Sequence, residues 1–506
     1  MASTHEEASV KRSSTSAVGV GLVSGAIAVG LLVAPSPVSA APALEWSSCE
    51  DPALASDGFE CARLIVPMDR RHPSAGTFSL PLARHRATGA PEDRIGSLVF
   101  NPGGPGGPGV ASIGFVWGEF VPDEIKQRFD LVTWDPRGVG GSIPALAGCD
   151  SPWPARPSTG PVDWADVVAK FTTVVSSVNA DCQKKNSAFV DHIGTVENVR
   201  DLDRIRAALG EEQLTYWGMS YGTRIGYVYA KTFPGRARAL VFDGSIDPGA
   251  TTIGLAEGGA APDQAYGVWA DAYPAAAAQV AAVLSVLNRR TVTLPGGTRL
   301  TRWIVKDVIY NAIPQQSIYP DLATVASIFY GAVLGTPEQR AEAAPIAARL
   351  ARSQRDSPNP NTGGVFAVVN CLDYPSRPTQ GVMTQAVLDA VRIAPAYGGS
   401  LATMYAVGCP GLTLKPDPVP LITGDGPKVP VLILGASRDG STIQSWTGRM
   451  SRAFPASRTV TYAGGQHVTW GLAHSDCVNA VANAYVTSLT LPPMDVGCPN
   501  TVTPGQ

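Results

Sequence analysis

One short stretch constrains this chain more than any other: a helix, a strand, a tight turn and a second helix follow one another without a break. Val196, Val199, Leu202, Ile205 and Leu209 recur at three- to four-residue steps and stop at Gly210, the pattern of an amphipathic helix ended by glycine. An apolar run at 214–217 reads as a strand, and 223–233 reads as the next helix. Between them lies Gly218-Met219-Ser220-Tyr221-Gly222. A serine on so sharp a strand-to-helix turn is held in a strained backbone conformation, with its hydroxyl above the sheet edge. The flanking glycines remove Cβ atoms that would strike neighbouring backbone. The same five residues also describe an ordinary glycine-containing turn, so the reading depends on the rest of the chain.

That rest is organised in the same way. Apolar runs at 95–100, 131–134, 214–217 and 239–242 alternate with helical periodicity, the pattern of a mostly parallel sheet covered by helices. After Asp247-Pro248 the strand pattern lapses, and Ala-rich helical stretches such as 272–287 and 337–351 continue to about Pro418. Within them, the Pro/Asn/Gly-rich segment 357–364 reads as a loop. Strand character returns at 429–434 and 458–462. A single α/β domain of 506 residues would be oversized. The expected division is a first part of the core at 41–250, a mainly helical cap inserted at 251–418, and the remainder of the core at 419–506.

Acyl transfer needs donors for an oxyanion, a base for the serine and an acid to orient the base. Asn101-Pro102-Gly103-Gly104-Pro105-Gly106-Gly107-Pro108-Gly109 follows the first strand. Glycine lets a backbone N–H approach without side-chain obstruction, so the N–H groups of Gly104 and Tyr221 are the expected oxyanion hole. A phosphate-cradling loop is the rival, but no Gly-Lys-[Ser/Thr] ending is present. Asp135-Pro136-Arg137-Gly138-Val139-Gly140-Gly141-Ser142 fails the dinucleotide-binding pattern at Ile143. Asp135 and Arg137 are expected to brace that turn.

Of the histidines beyond residue 40, only His467 and His474 follow the last expected strands, and the order of elements selects His467 as base. Asp439, just past the strand at 429–434, is the expected orienting acid. Asp243, at the end of the strand at 239–242, competes with it.

The N-terminus carries Lys11-Arg12, an apolar stretch at 17–34 and then Pro35-Ser36-Pro37-Val38-Ser39-Ala40. This is a signal-peptide layout with a cut expected between Ala40 and Ala41, giving an exported, extracellular protein. A retained membrane anchor is the alternative, although Gly19, Gly21, Gly25 and Gly30 dilute the run. The first cysteine, Cys49, stands too far on for lipid attachment beside the leader, so no stable membrane association is expected after cleavage.

All eight cysteines lie beyond the cut. In an exported chain they suggest disulfides. Sequence does not fix the connectivity, but short loops close at lower entropic cost, which favours Cys49 with Cys61, Cys149 with Cys182, Cys371 with Cys409 and Cys477 with Cys498. A metal site is poorly supported, with no Cys-x-x-Cys and no histidine pair at ligand spacing. A net charge of −3 and the lack of any Lys/Arg run disfavour nucleic acid as a partner.

Taken together, these motifs resemble the secreted tripeptidyl aminopeptidases related to proline iminopeptidases, within the α/β-hydrolase superfamily. The resemblance covers most of the chain beyond the leader. It rests on Asn101-Pro102-Gly103-Gly104-Pro105-Gly106, Asp135-Pro136-Arg137-Gly138, Gly218-Met219-Ser220-Tyr221-Gly222-Thr223, Asp243-Gly244, Asn370-Cys371-Leu372-Asp373 and the C-terminal cysteine pair. It implies an α/β-hydrolase fold, a triad matched here by Ser220, Asp439 and His467, no cofactor, and release of short peptides from free N-termini. Two positions depart from the pattern: Ile443 where proline often follows Thr442, and Gln466 where glycine usually precedes the histidine. An aminopeptidase also needs carboxylates to hold the substrate's α-ammonium, and Asp373 and Glu197 are the expected anchors. The same triad would serve a carboxylesterase, and a hydrolase-fold binding protein without catalysis is the third reading.

Overall fold

Strands alternating with helices at the spacing above build one large sheet. The structure, a computed structural model, describes residues 44–356, 364–424 and 426–502, with side chains at 354–356 excepted. The expected leader at 1–40 and all but the last residue of the loop at 357–364 lie outside the described residues.

The strands in chain order are β1 (Ser47–Ser48), β2 (Glu60–Pro67), β3 (Thr77–His85), β4 (Gly96–Asn101), β5 (Phe129–Trp134), β6 (Leu214–Met219), β7 (Ala237–Asp243), β8 (Val292–Thr293), β9 (Arg299–Leu300), β10 (Val431–Ala436), β11 (Arg458–Tyr462) and β12 (Val496–Cys498). Ten of them form a sheet in the order β1-β2-β3-β5-β4-β6-β7-β10-β11-β12, while β8 and β9 form a separate small hairpin. From β5 through β12 every pairing is parallel. The order inverts between β5 and β4, and β6 then continues on the far side of β4, the kind of switch where open α/β sheets form crevices at their carboxyl ends.

Parallel strands covered on both faces must be apolar on both, and here successive residues feed opposite cores. Val99, Val132, Tyr216, Leu240, Phe242, Val431 and Ile433 join one cluster. Their neighbours Leu98, Phe100, Leu131, Trp217, Val241, Leu432 and Leu434 join the other.

At the N-terminal edge an antiparallel β2–β3 pair extends the sheet, an element absent from the sequence expectation. Its signal was period two: Leu64 and Val66 on one strand, and Phe78, Leu80 and Leu82 on the other, are buried while their neighbours face outward. The strand expected at 429–434 begins two residues later. Pro430 has no N–H for a ladder, and its carbonyl instead accepts the Tyr485 hydroxyl at 2.8 Å.

Between β7 and β10 the described chain is mostly helical. Pro274–Leu287, Tyr319–Leu334 and Pro337–Asp356 pack around a third cluster containing Val280, Leu322, Phe329 and Ala347. The first of these helices starts at Pro274 rather than 272, with proline at its N-terminal position, where a missing N–H costs nothing. Four disulfides join Cys49–Cys61, Cys149–Cys182, Cys371–Cys409 and Cys477–Cys498, the pairs that loop length favours, and leave no free thiol.

Candidate functional site

β6 delivers Ser220 to the carboxyl end of the sheet, and the helix Gly222–Thr232 carries the chain away at once. Ser220 has φ +53°, a left-handed conformation that costs a non-glycine residue on the order of 1–3 kcal/mol and persists only when its surroundings over-determine it. They do so here. The Ser220 N–H donates to the Asp243 carbonyl at 2.8 Å, and the Ser220 carbonyl accepts from the N–H and hydroxyl of Thr223 at 2.9 and 2.7 Å. A Cβ at position 218 would stand 2.5 Å from the Gly222 carbonyl oxygen, and one at 222 would stand 2.7 Å from that of Asn101, so both glycines are steric requirements of the turn.

The loop after β4 approaches the same turn. A Cβ on Gly103 would lie 2.9 Å from the Ser220 Cβ and 3.2 Å from the Tyr221 nitrogen, so only glycine admits this proximity. Gly104 and Tyr221 line one cavity together with Ser220. Among the described residues no hydrogen bond engages the N–H of either one. Two amide donors are thus left unspent beside the serine, the arrangement that a developing oxyanion requires. The neighbouring turn is braced as expected: the Asp135 carboxylate accepts from the N–H groups of Val110 and Gly141 at 2.9 and 2.8 Å. The buried Arg137 donates to Asp201 and to the carbonyls of Pro67, Met68 and His192.

His467 follows β11, and its Nδ1 lies 2.9 and 3.1 Å from the two carboxylate oxygens of Asp439, beyond β10. The Asp439 side chain is 1% exposed and that of His467 17%, so the acid is sealed in while the imidazole remains approachable. Asp439 also accepts from the N–H groups of Ser441 and Thr442 and from the Thr442 hydroxyl, which fixes its plane. Burial by itself disfavours the imidazolium, but the charge and hydrogen bond of Asp439, helped by the charge of Asp243, outweigh it and raise the His467 pKa above the ordinary histidine value.

The two candidate acids differ in contact: only Asp439 reaches the His467 ring. Asp243 is fully buried and spends its carboxylate on the N–H and hydroxyl of Thr469 and the N–H of Trp470. Asp243 therefore holds the loop that carries His467, and Asp439 holds its ring. Val468, at φ +61°, marks the tight course of that loop.

A family model described as alpha/beta hydrolase fold matches residues 96–287, the span that contains Ser220. The chain has the α/β-hydrolase fold. A second model, described as TAP-like protein, matches residues 394–498, the span of Asp439 and His467. The chain is similar to Serine protease Hip1 of Mycobacterium tuberculosis, 42% identical over 217 residues, which are 42% of this chain and 41% of that protein. The match thus spans about two fifths of that relative's length. It is 28% identical over 480 residues to Tripeptidyl aminopeptidase of Streptomyces lividans, covering 91% of this chain and 87% of the other. Carboxylesterase B of Mycobacterium tuberculosis is likewise 28% identical, over 504 residues and 90% of each chain.

Neither expected ammonium anchor lines the cavity at Ser220. Glu197 is hydrogen-bonded to Arg70 and Arg200, within a cluster that includes Arg137. Asp373, 1% exposed, accepts from the Thr195 N–H at 2.9 Å, the Thr195 hydroxyl at 2.6 Å and Arg224 Nη1 at 3.0 Å.

Two contacts went unforeseen. Arg224 lines the Ser220 cavity from a position one helical turn past the serine, a spacing of four that the sequence displays. Gln316, between helices of the 251–418 segment, grips the histidine loop. Its N–H donates to the Gln466 side-chain oxygen at 2.8 Å, and its own side-chain oxygen accepts from the N–H groups of Gly465 and Gln466 at 3.1 and 2.9 Å. The His467 N–H donates to the Pro314 carbonyl at 2.8 Å beside it. The glutamine at 466 that departs from the related pattern is the residue making this clamp.

Proposed function

We propose that this α/β-hydrolase is an exported serine exopeptidase that releases short peptides, tripeptides foremost, from free N-termini. Ser220 is its nucleophile, His467 its base and Asp439 its orienting acid. The observation that carries this reading is the Asp439–His467 hydrogen-bonded pair, on the loops after β10 and β11, together with the strained serine after β6 and its two unspent amide donors; among the described residues no hydrogen bond joins Ser220 to His467. His467 accepts the Ser220 proton as the hydroxyl attacks the scissile carbonyl, and the oxyanion is received by the N–H groups of Gly104 and Tyr221. The imidazolium, stabilised by Asp439, then gives its proton to the leaving amine, and water resolves the acyl-enzyme by the same route. No cofactor enters these steps.

Residues 41–250 and 419–506 form the catalytic core in this reading, and 251–418 form a cap that keeps a through-running chain out. The relatives named for peptide cleavage support the choice of substrate. Four disulfides and the signal-peptide layout of 1–40 support export.

The experiment is an assay of the mature protein on tripeptidyl anilides with free and with blocked amino groups, beside short acyl esters. Cleavage of the free-amine anilides, with tripeptides as the product by mass, is the expected result. The ester reading is favoured by one observation, the carboxylesterase relative that spans 90% of the chain. Ester turnover without cleavage of free-amine peptides would establish it. A fluorophosphonate that leaves Ser220 unlabelled would instead indicate a binding protein.

A further inference from the structure

The cavity against Ser220 is bounded by Gly104 and Tyr221 on one side and by Phe366, Asn370 and Tyr405 from the cap segment on another. His467 is not among its lining residues. The leaving amine departs beside the imidazole that protonates it, and this cavity is assigned, as part of the proposal, to the acyl side of the serine.

Its one charged lining residue is Arg224, which is 1% exposed. Nη1 of Arg224 donates to the Asn370 side-chain oxygen at 2.8 Å and to Asp373 at 3.0 Å. The rings of Tyr374 and Tyr221 flank the guanidinium, with centroids 4.7 and 5.2 Å from its carbon. Nε is buried and has no hydrogen-bond partner among the described residues. An ionised donor that deep is strongly biased toward any acceptor that reaches it.

We propose that Arg224 is a specificity-determining residue whose unspent guanidinium edge receives an uncharged oxygen, amide or hydroxyl, on the side chain of the acyl residue next to the scissile bond. This deepens the peptidase reading and rests on it for the identity of the acyl group. Asp373 already neutralises Arg224, so a substrate carboxylate would bring a second buried negative charge to a single guanidinium. An amide oxygen accepts the same hydrogen bond without that charge. An apolar isostere leaves the donor unmet, the situation in which polar sites discriminate most strongly.

The test uses three tripeptidyl phosphonates that modify the serine without requiring turnover. They differ only in the side chain beside phosphorus, which is that of asparagine, leucine or aspartate. The asparagine reagent is expected to inactivate the wild-type protein at least ~10-fold faster than the near-isosteric leucine reagent, and faster than the aspartate reagent. Arg224→Met should bring the asparagine-to-leucine ratio near unity, and Arg224→Lys should retain part of it. A wild-type ratio of one or less, an aspartate reagent as fast as the asparagine reagent, or a preference that survives Arg224→Met overturns the assignment. The two wild-type comparisons stand even if Arg224→Met does not fold. Asparagine-selective inactivation together with intact anilides would sink the peptidase reading and leave the subsite in place.

Discussion

β7 and β10 lie side by side, run parallel, and each ends beside a buried carboxylate near the same imidazole, yet the two ends do different work. Asp243 closes β7 and Asp439 follows β10 by three residues. Both are at most 1% exposed. Each carboxylate accepts from two backbone N–H groups and a hydroxyl, those of Asp243 from the segment just past His467, and only Asp439 also has both oxygens within 3.1 Å of the His467 ring nitrogen. A strand end is therefore a location that several folds of the loop beyond can use. The donors the rest of the chain brings to it decide between a structural tie and an orienting acid.

Four substitutions and one pH profile test how these groups divide the work. Asp439→Asn should lower kcat on the order of 10⁴-fold, because the imidazole loses both its tautomer control and its counter-charge, while the melting temperature changes little. Steady-state kinetics beside a thermal melt would check it, and a small kinetic effect would return Asp243 to the role of acid.

Asp243→Ala should act mainly on stability, by about 3 kcal/mol, since it strands two buried N–H groups and a hydroxyl that now share one carboxylate. Denaturant titration reads the loss. Retention of full stability with loss of activity would reverse the assignment.

The pH profile separates the two acids in another way. Only neutral His467 can accept a proton, so kcat/KM should rise through an acid-limb midpoint above the ordinary histidine value of about 6.5, in line with the raised pKa. Asp439→Asn should move that midpoint down, because the burial that disfavours the imidazolium then goes less opposed. The sign for stability is opposite. The folded pKa of His467 is raised, so the ion pair stabilises the fold fully below the unfolded histidine pKa and loses that contribution as pH climbs through the folded value.

The smallest effect belongs to the clamp from the helical segment. Gln466→Gly and Gln316→Ala should each cost roughly tenfold in kcat with KM unchanged, because they loosen the placement of the base and touch no substrate. Equal changes in KM and kcat would mean that the clamp shapes the binding cavity instead.

Much of this architecture could be read along the chain. The turn at Ser220 shows itself because its glycines are enforced by contacts within a few residues and with one adjacent strand. The serine, aspartate, histidine order follows from the order of the strands. The disulfides join cysteines 12, 33, 38 and 21 residues apart, close enough in sequence for loop length to pair them.

Glu197 and Asp373 show where such reading stops. A carboxylate at a suggestive position looks the same in sequence whether it faces a ligand or an arginine, and the partners that disarm Asp373 are 178 and 149 residues away. The β2–β3 pair was missed for a different reason: its alternation is regular, but it precedes the segment where strands and helices settle into rhythm.

Local backbone sterics and the spacing of apolar residues are properties of neighbours, so the sequence alone determined the parallel strands of the sheet's middle, the strained serine and the glycine-rich loop before it. Which carboxylate meets the imidazole, which guanidinium is left with an unspent donor beside the serine, and how the helical segment grips the histidine loop are properties of groups brought together across more than a hundred residues. Only the tertiary structure decided them, because a hydrogen bond depends on a few tenths of an ångström between atoms whose separation no local rule sets.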